Sequence, residues 1–302
     1  MALGTNHVTN ATAGTFIPEL WSDEIIAAYK QNLVMANLVS KMSFKGKKGD
    51  TLHIPKPTRG TAALKAASTQ VTLQAATESE IQVLVNKHYE YSRLIEDITE
   101  VQALASLRKF YTSDAGYALA KQVDADLMAL GRNVQGGNGT IAYDKAVIAS
   151  DGSTLYTGTN EAAITDAGIR KVIQTLDDQD VPMDGRVLVL PPVARNVMLG
   201  LARFTEQAFT GETGGGNSIR NGEIGNVYGV KVYVTTNCDT TTGGDRVGLM
   251  FTKDAFVLAE QMGVRSQTQY KQEYLGTLFT SDMLYGVKEL RDEAAVAIAM
   301  PA

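Results

Sequence analysis

Residues 49–77 read GDTLHIPKPTRGTAALKAASTQVTLQAAT, a stretch that begins and ends with strand-like residues but can build little core. Leu52 and Ile54 alternate with polar residues. Pro55 and Pro57 then exclude two ladder hydrogen bonds, which is typical of an edge strand or an exposed strand. The middle is rich in alanine, serine and threonine and has no aromatic residue. The pattern predicts an outgoing strand, a turn-rich middle and a returning strand, which together form a long β-hairpin.

The returning half of this stretch keeps one apolar parity. The residues that share it are Val71, Leu73, Ala75, Ile81, Val83 and Val85. A period of two over this range predicts a long strand with one apolar face and a bend near 78–80. The subunit offers no evident surface to cover that face, so we expect the covering surface to belong to another copy.

The composition limits the class of protein. A chain of 302 residues can form two compact lobes or one large domain with excursions. Its 44% hydrophobic and 20% charged content is that of a globular protein and excludes wholesale disorder. A formal net charge of −5 disfavours a free-standing nucleic-acid binder, because such proteins are usually basic.

The sequence also limits the compartment. Cys238 is the single cysteine, which excludes an internal disulfide and fits a reducing environment. The first residues, MALGTNHVTNATAGTF, have neither the basic nor the apolar region of a secretory signal. No stretch approaches the ~18 consecutive apolar residues of a membrane-spanning helix. We therefore expect a protein made and kept in a cytoplasm, with no membrane partner.

Helical periodicity appears in three places, one of which is an amphipathic stretch over 95–111 (IEDITEVQALASLRKFY). Ser22 is a suitable N-cap for an amphipathic helix that runs to about 34, after a small polar arm over 1–15. A longer helix is predicted after the start signals Thr112, Ser113 and Asp114. Its stripe consists of Ala115, Leu119, Val123, Leu127, Leu130 and Val134. This helix would be about 30 Å long and would end at the glycine-rich residues 136–139.

The remainder alternates between helices and strands. A helix capped near Thr165 leads to a strand over 186–192, and Pro191 and Pro192 open a short helix. Strands are predicted over 227–237, 247–251 and 257–262, and two further strand-like stretches over 264–276 and 288–300. Because no strict strand–helix–strand rhythm appears, the predicted fold class is α+β.

Candidate chemical sites are weak throughout. His7, His53 and His88 lack metal-ligand spacing, and one cysteine cannot form a zinc cluster. The glycine-rich residues 211–218 (GETGGGNS) have Asn217 where a phosphate-binding loop has its lysine, which favours a mobile loop.

The acidic groups do not suggest a site either. Residues 177–180 (DDQD) lack the glycine and closing glutamate of a calcium loop, which favours a solvated helix end. Asp124 and Asp126 are two apart on a helix and do not share a face. No nucleophile has an evident activating base. The sequence predicts neither an enzyme nor a cofactor.

Charge is unevenly distributed along the hairpin region. Basic residues cluster at Lys41, Lys45, Lys47, Lys48, Lys56, Arg59 and Lys65, and an acidic stretch follows at Glu78, Glu80, Glu90, Glu96, Asp97 and Glu100. Two interpretations stay open. These are either two solvated faces, or the basic arm of one copy lies across the acidic surface of the next and sets its register. The second makes Lys47, Lys48, Lys56, Arg59, Lys65, Glu78, Glu80, Glu96 and Asp97 candidate intersubunit contacts.

An ordered set of segments resembles a known family. The segments are 16–41 (FIPELWSDEIIAAYKQNLVMANLVSK), 49–56 (GDTLHIPK), 91–102 (YSRLIEDITEVQ), 114–127 (DAGYALAKQVDADL), 186–199 (RVLVLPPVARNVML), 224–237 (IGNVYGVKVYVTTN) and 285–300 (YGVKELRDEAAVAIAM). In this order they resemble the major capsid proteins of tailed double-stranded DNA phages, which have the Hong Kong 97-type fold. The resemblance covers residues 16–300, and its specificity lies in the order of the segments.

The resemblance implies a division of the chain. Residues 1–48 would form an N-terminal arm and helix, and 49–90 the extended hairpin loop (E-loop). Residues 91–160 and 256–285 would form a peripheral domain with a spine helix over 113–134. Residues 161–255 and 286–302 would form an axial domain. Copies would assemble as hexamers and pentamers into an icosahedral head that encloses the phage genome.

The resemblance also implies partners: further copies of the chain, a portal, a decoration protein and non-specific contact with packaged double-stranded DNA. Because it begins near residue 16, it leaves no room for an N-terminal scaffolding domain, so a separate scaffolding protein is expected. Lys56 and Lys65 lie in the loop where some members form a lysine–asparagine crosslink, but no glutamate catalyst can be located. The alternatives are an encapsulin-type shell protein of a prokaryotic compartment and an unrecognised soluble α/β enzyme.

Overall fold

The computed structural model describes residues 33–46, 48–57, 60–71, 73, 78–102, 107–137, 143–150, 152, 156, 163–201 and 226–302. The helices are α1 (Met35–Leu38), α2 (Asp97–Gln102), α3 (Leu107–Ala129), α4 (Asp166–Asp178) and α5 (Pro192–Leu199). The strands are β1 (Ser40–Ser43), β2 (Thr51–Pro57), β3 (Glu78–Leu84), β4 (Lys87–Glu96), β5 (Val147–Ile148), β6 (Val187–Leu190), β7 (Asn226–Val227), β8 (Val230–Val234), β9 (Arg246–Phe251), β10 (Phe256–Lys271), β11 (Gly276–Glu289) and β12 (Ala295–Met300). This mixture of segregated helices and mainly antiparallel strands is α+β, as predicted.

One sheet contains the long strands, in the order β1-β10-β11-β4. β10 and β11 pair antiparallel from Phe256↔Glu289 to Lys271↔Gly276, with register shifts between Glu260 and Arg265. β1 lies parallel to the start of β10, and β4 lies antiparallel to β11. The stretches expected to hold strands at 257–262 and 264–276 are therefore one long strand and the turn that follows it.

Helix α3 packs against this sheet. The predicted apolar stripe is confirmed, because Ala115, Leu119, Val123 and Leu127 are buried. Its 23 residues give a length of about 34 Å. The predicted start at 112–114 is wrong: the helix already begins at Leu107, because the preceding residues are compatible with a helix and the cap-like side chains lie inside it. It also ends at Ala129 rather than Val134, and two 3₁₀ turns continue to Gly136.

Tyrosine hydroxyl groups attach α3 to the sheet. The Tyr285 hydroxyl donates to Asp126 Oδ2 at 2.6 Å, and Lys87 Nζ lies 3.0 Å from the same oxygen. The Tyr91 hydroxyl donates to Asp114 at 3.0 Å. The rings of Tyr89 and Tyr285 are stacked, with their centroids 5.9 Å apart. The helix is thus held by charge-assisted hydrogen bonds as well as by apolar packing.

A second sheet has the order β5-β12-β9-β6-β8-β7. As predicted, Thr165 caps α4, with its hydroxyl accepting from the Gly168 amide at 3.3 Å, and α5 begins at Pro192. The single strand predicted over 227–237 is instead the hairpin of β7 and β8. Tyr228 (φ 51°) and Gly229 (φ 83°) form its turn, a conformation that favours glycine at the second position.

β2 and β3 form a separate two-stranded sheet, with register from Thr51↔Leu84 to Pro57↔Glu78. The outgoing strand is confirmed. The prediction of a long returning strand that begins at Val71 is wrong in its extent. The strand β3 begins at Glu78, and Val71 and Leu73 lie outside any strand. β3 ends at Leu84, and the chain then enters β4 in the long-stranded sheet.

Some predicted features lie outside the described residues: most of the helix expected over 22–34 and the glycine-rich residues 211–218. Within the described part of the chain, no helix is long and apolar enough to cross a membrane.

Candidate assembly surfaces

The proximal part of the hairpin, β2 and β3, is covered by its own subunit. Val83 and Val85 are buried against Val257 and Ala259 of β10. Leu52 and Ile54 pack against the same cluster. The expectation that the apolar face of the hairpin finds no cover within the subunit is therefore wrong for this half. Sequence parity identified the buried face but not the strand that covers it.

Hydrogen bonds fix the base of the hairpin to the body. The Val85 amide donates to the Asp50 carbonyl at 2.8 Å, closing the two strands. Gln261 Nε2 on β10 donates to the Gly49 carbonyl at 2.9 Å. Lys45 Nζ lies 3.2 Å from Glu260 Oε1, also on β10. The direction in which the hairpin leaves the body is thus set within one subunit.

The distal segment, defined as residues 60–71 and 73, has no such cover from the described residues. Leu64 is 102% exposed, Leu73 is 92% exposed and Val71 is 65% exposed. The segment turns at Ser68 (φ 62°), where the Thr69 hydroxyl donates to the Ala66 carbonyl at 2.7 Å. Full burial of one such aliphatic side chain is worth about 1.5–3 kcal/mol, so this segment retains apolar area that a second surface could remove from water.

The basic candidates differ in their surroundings. Lys48 and Lys65 are exposed and have no acidic partner among the described residues. Lys56 lies opposite Ser79 in the hairpin, and its charge is a lesser cause of the lowered pKa of Asp292, after hydrogen bonding with Glu293. Lys56 therefore has an acidic neighbour within its own subunit. Lys47 and Arg59 lie outside the described residues.

The acidic candidates fall into two separate groups. Glu78 and Glu80 lie on β3, in the same hairpin as Lys56. Hydrogen bonds from Gln82 at 2.7 Å and with His53 at 3.0 Å lower the pKa of Glu80. Glu78 and Glu80 thus belong to a different sheet from Glu96, and the acidic stretch of the sequence is divided between two parts of the fold.

Glu96 and Asp97 lie at the other end of β4, beside the β10–β11 turn. Asp97 accepts from the Tyr270 hydroxyl at 2.8 Å, which raises the pKa of that tyrosine. Exposed apolar side chains surround this point: Ile98, Tyr270, Tyr274 and Leu275. Sequence reasoning missed this patch, although the aromatic and aliphatic residues within the polar stretch KQEYLG were a signal for it.

A polar cluster joins the three long strands. Arg265 donates to both oxygens of Asp282, at 3.1 and 2.7 Å, and His88 Nε2 lies 3.1 Å from Asp282 Oδ2. Hydrogen bonding from Arg265, then from His88, lowers the pKa of Asp282. The charge of this carboxylate is compensated across β10, β11 and β4, so the cluster is a structural clamp.

Residues with possible chemical roles are isolated from one another. Asp124 and Asp126 contact different partners, as predicted from their spacing: Asp124 faces Met35 and Asp126 faces Tyr285. Asp177 in the acidic helix end binds Arg186 at 2.7 Å, while 178–180 are exposed. Burial raises the pKa of the Cys238 thiol to about 12. In the part of the chain that the structure describes, no three His, Cys, Asp or Glu side chains are grouped to hold a metal.

Comparison with known proteins identifies the architecture. A family model described as "Phage capsid protein" matches residues 97–298. The solved structure of Mycobacterium phage Che8 is 25% identical, with a TM-score of 0.76, covering 94% of this chain and 97% of that one. The capsid of cyanophage P-SCSP1u is 18% identical, with a TM-score of 0.76 and coverage of 99% and 96%. The mature capsid of bacteriophage PhiM1 is 13% identical, with a TM-score of 0.70 and coverage of 94% and 92%. A search of curated proteins finds no match.

The family model covers about two thirds of the chain, and the matched structures cover nearly all of it. The Hong Kong 97-type fold is therefore confirmed, and phage capsids are favoured over an encapsulin. The chain belongs to the phage capsid protein family and is a structural major capsid protein of a virion, which forms shells from copies of itself.

Proposed function

We propose that copies of this protein assemble as hexamers and pentamers into an icosahedral head that encloses the phage genome, with the distal segment of each copy lying on its neighbour. One observation carries the placement of the distal segment: β2 and β3 are anchored within the subunit, while Leu64 and Leu73 beyond them are almost fully exposed. An anchored base with an uncovered end is suited to reach a second copy.

The apolar contact would supply most of the energy of this interaction. A lattice repeats each contact many times, so a modest gain per subunit still closes a shell. Exposed ion pairs contribute at most about 1 kcal/mol each and act mainly on register and association rate. Lys48 and Lys65 are the best placed for this role, since Lys56 already has an acidic neighbour, Asp292, in its own subunit.

The finer assignments are part of the same proposal. Residues 49–90 act as the extended loop, 91–160 with 256–285 as the peripheral domain, and 161–255 with 286–302 as the axial domain. Assembly takes place in the cytoplasm of a bacterial host, with a portal, a separate scaffolding protein and a decoration protein as partners. Contact with packaged DNA is non-specific, and a net charge of −5 keeps that contact weak.

Replacing residues 60–73 with a short Gly-Ser linker tests the proposal, because β2 and β3 and their anchors stay intact. We expect the circular dichroism of the subunit to be unchanged, and closed shells to be lost under conditions in which the natural sequence forms them. Electron microscopy gives the readout. Met183→Ser is a control that removes one exposed apolar side chain elsewhere and should assemble. Normal yields of closed shells from the linker variant would contradict the proposal.

A further inference from the structure

Asp124 is a buried carboxylate in the last third of α3, with only 1% of its surface exposed. Its Oδ1 accepts a hydrogen bond from the Met35 amide at 2.7 Å. The amides of Val34 and Ala36 also donate toward this carboxylate. Three consecutive amides at the start of α1 thus point to one charged group on the spine helix.

The second oxygen of the same carboxylate binds a different part of the fold. Asn237, in the loop that follows β8, donates from Nδ2 to Asp124 Oδ2 at 3.3 Å. The same amide group donates to the Lys121 carbonyl at 3.2 Å, one helical turn earlier on α3. Asn237 therefore attaches the six-stranded sheet to α3 at the position where α1 is attached.

The contact of α1 with Asp124 and the contact of Asn237 with Asp124 depend on each other, because both stabilise the same buried carboxylate. Burial raises the pKa of Asp124, and hydrogen bonds from neutral amide groups oppose that rise. The adjacent Cys238 thiol stays neutral because its own pKa is also raised by burial. A buried carboxylate that loses one donor is strongly penalised, so the loss of Asn237 weakens the state in which α1 covers Asp124.

We propose that Asp124 is a latch through which the loop after β8 controls the docking of residues 34–36 on α3. A shift of the six-stranded sheet relative to α3 removes the Asn237 donor and loosens residues 34–36. Met35 remains an apolar anchor, since it is fully buried, and the latch sets how firmly it is held. This inference goes beyond the proposed assembly contact and does not depend on it.

Limited trypsin digestion of the unassembled subunit at Lys41 tests the latch. This residue is exposed on edge strand β1, directly after α1, and the protease needs the segment around the bond to open. Asn237→Ala should raise the cleavage rate about five-fold, the effect of one net hydrogen bond. Asn196→Ala makes the same side-chain change at an exposed position of α5 and should leave the rate unchanged. Equal rates for Asn237→Ala and the natural sequence would overturn the proposal.

An exchange of the two side chains provides an independent arm. Asn237→Asp alone places two carboxylates together. Relative to the natural sequence digested at the same pH, it should speed cleavage more at about pH 8 than at about pH 5, because a shared proton relieves the repulsion in acid. The double variant Asp124→Asn with Asn237→Asp restores one donor and one acceptor and should return the rate toward the natural value. If the double variant is cleaved as fast as Asn237→Asp alone, Asp124 and Asn237 do not act as a pair.

Discussion

The carbonyl oxygen of Leu84 occupies the space that a Cβ atom on Gly286 would need. The end of β3 therefore crosses β11 in direct backbone contact, and the Cα of Val85 lies only 3.1 Å from the same position. Backbone atoms cannot rotate away as a flexible side chain can. This crossing fixes the height of the hairpin above the long-stranded sheet.

Gly286→Ala should displace the hairpin base and lower the free energy of unfolding by about 1–3 kcal/mol, the usual cost of overpacking. Chemical denaturation of the unassembled subunit measures the change. Gly116→Ala is the matched control, because a Cβ there meets nothing within 4 Å and a helix favours alanine. It should stabilise by about 0.5–1 kcal/mol. If Gly286→Ala leaves the free energy of unfolding unchanged, β3 can move away from β11 without cost, and the proposed crossing does not fix the hairpin.

The attachment of α3 to the sheet depends on the Tyr285 hydroxyl. Tyr285→Phe removes the 2.6 Å hydrogen bond to Asp126 and should cost about 1.5–3 kcal/mol, because a charged acceptor is left with fewer donors. Tyr89→Phe is the comparison, since its hydroxyl receives only a 3.4 Å contact from Gln122 and should cost much less. Thermal unfolding of the two variants measures the loss of stability. Equal losses would contradict the view that the Tyr285 hydroxyl attaches α3 to the sheet.

The Asp282 clamp should make stability fall in acid. Its folded-state pKa is lowered, mainly by Arg265, so its contribution is fully present above the ordinary carboxyl pKa. That contribution is lost as the pH falls through the lowered value. Asp282→Asn should unfold more readily at about pH 6, and the difference from the natural protein should shrink below about pH 3. A difference in the free energy of unfolding that stays constant across this pH range would contradict the clamp.

Electrostatic guidance of assembly should reside in the exposed lysines of the hairpin region. Lys65→Glu should slow shell formation in light-scattering assays, and the effect should fade as salt shortens the Debye length below about 10 Å. Lys171→Glu on α4 changes net charge equally and is the control. Equal slowing by both substitutions would assign the effect to overall charge rather than to the hairpin.

The sequence predicted the elements whose periodicity is local. The stripe from Ala115 to Leu127 follows from the helical repeat, and the Thr165 cap follows from side-chain chemistry. The boundary near Thr112 was wrong because a cap residue is a start signal only where the preceding residues leave the helix. The helical period over 95–111 already included the first residues of α3, and only the division at Thr112 was wrong, because α3 is continuous from Leu107.

Features that depend on contacts between residues far apart in the chain could not be predicted from the sequence. Val71 and Val83 share one parity, but only Val83 meets β10, more than 170 positions along the chain. The burial of Asp124 was not predicted, because nothing near it in the sequence signals the amides of α1 or Asn237. The family resemblance gave the fold, and the structure was needed to separate the covered part of the hairpin from its exposed end.

Cysteine labelling at position 64 tests the central claim most directly. In Leu64→Cys the new thiol is the accessible one, because Cys238 is buried and its raised pKa slows its reaction. Maleimide labelling should be fast in the free subunit and strongly protected in closed shells, since the account places this side chain against a neighbouring copy. Labelling at the same rate in free subunits and closed shells would contradict it.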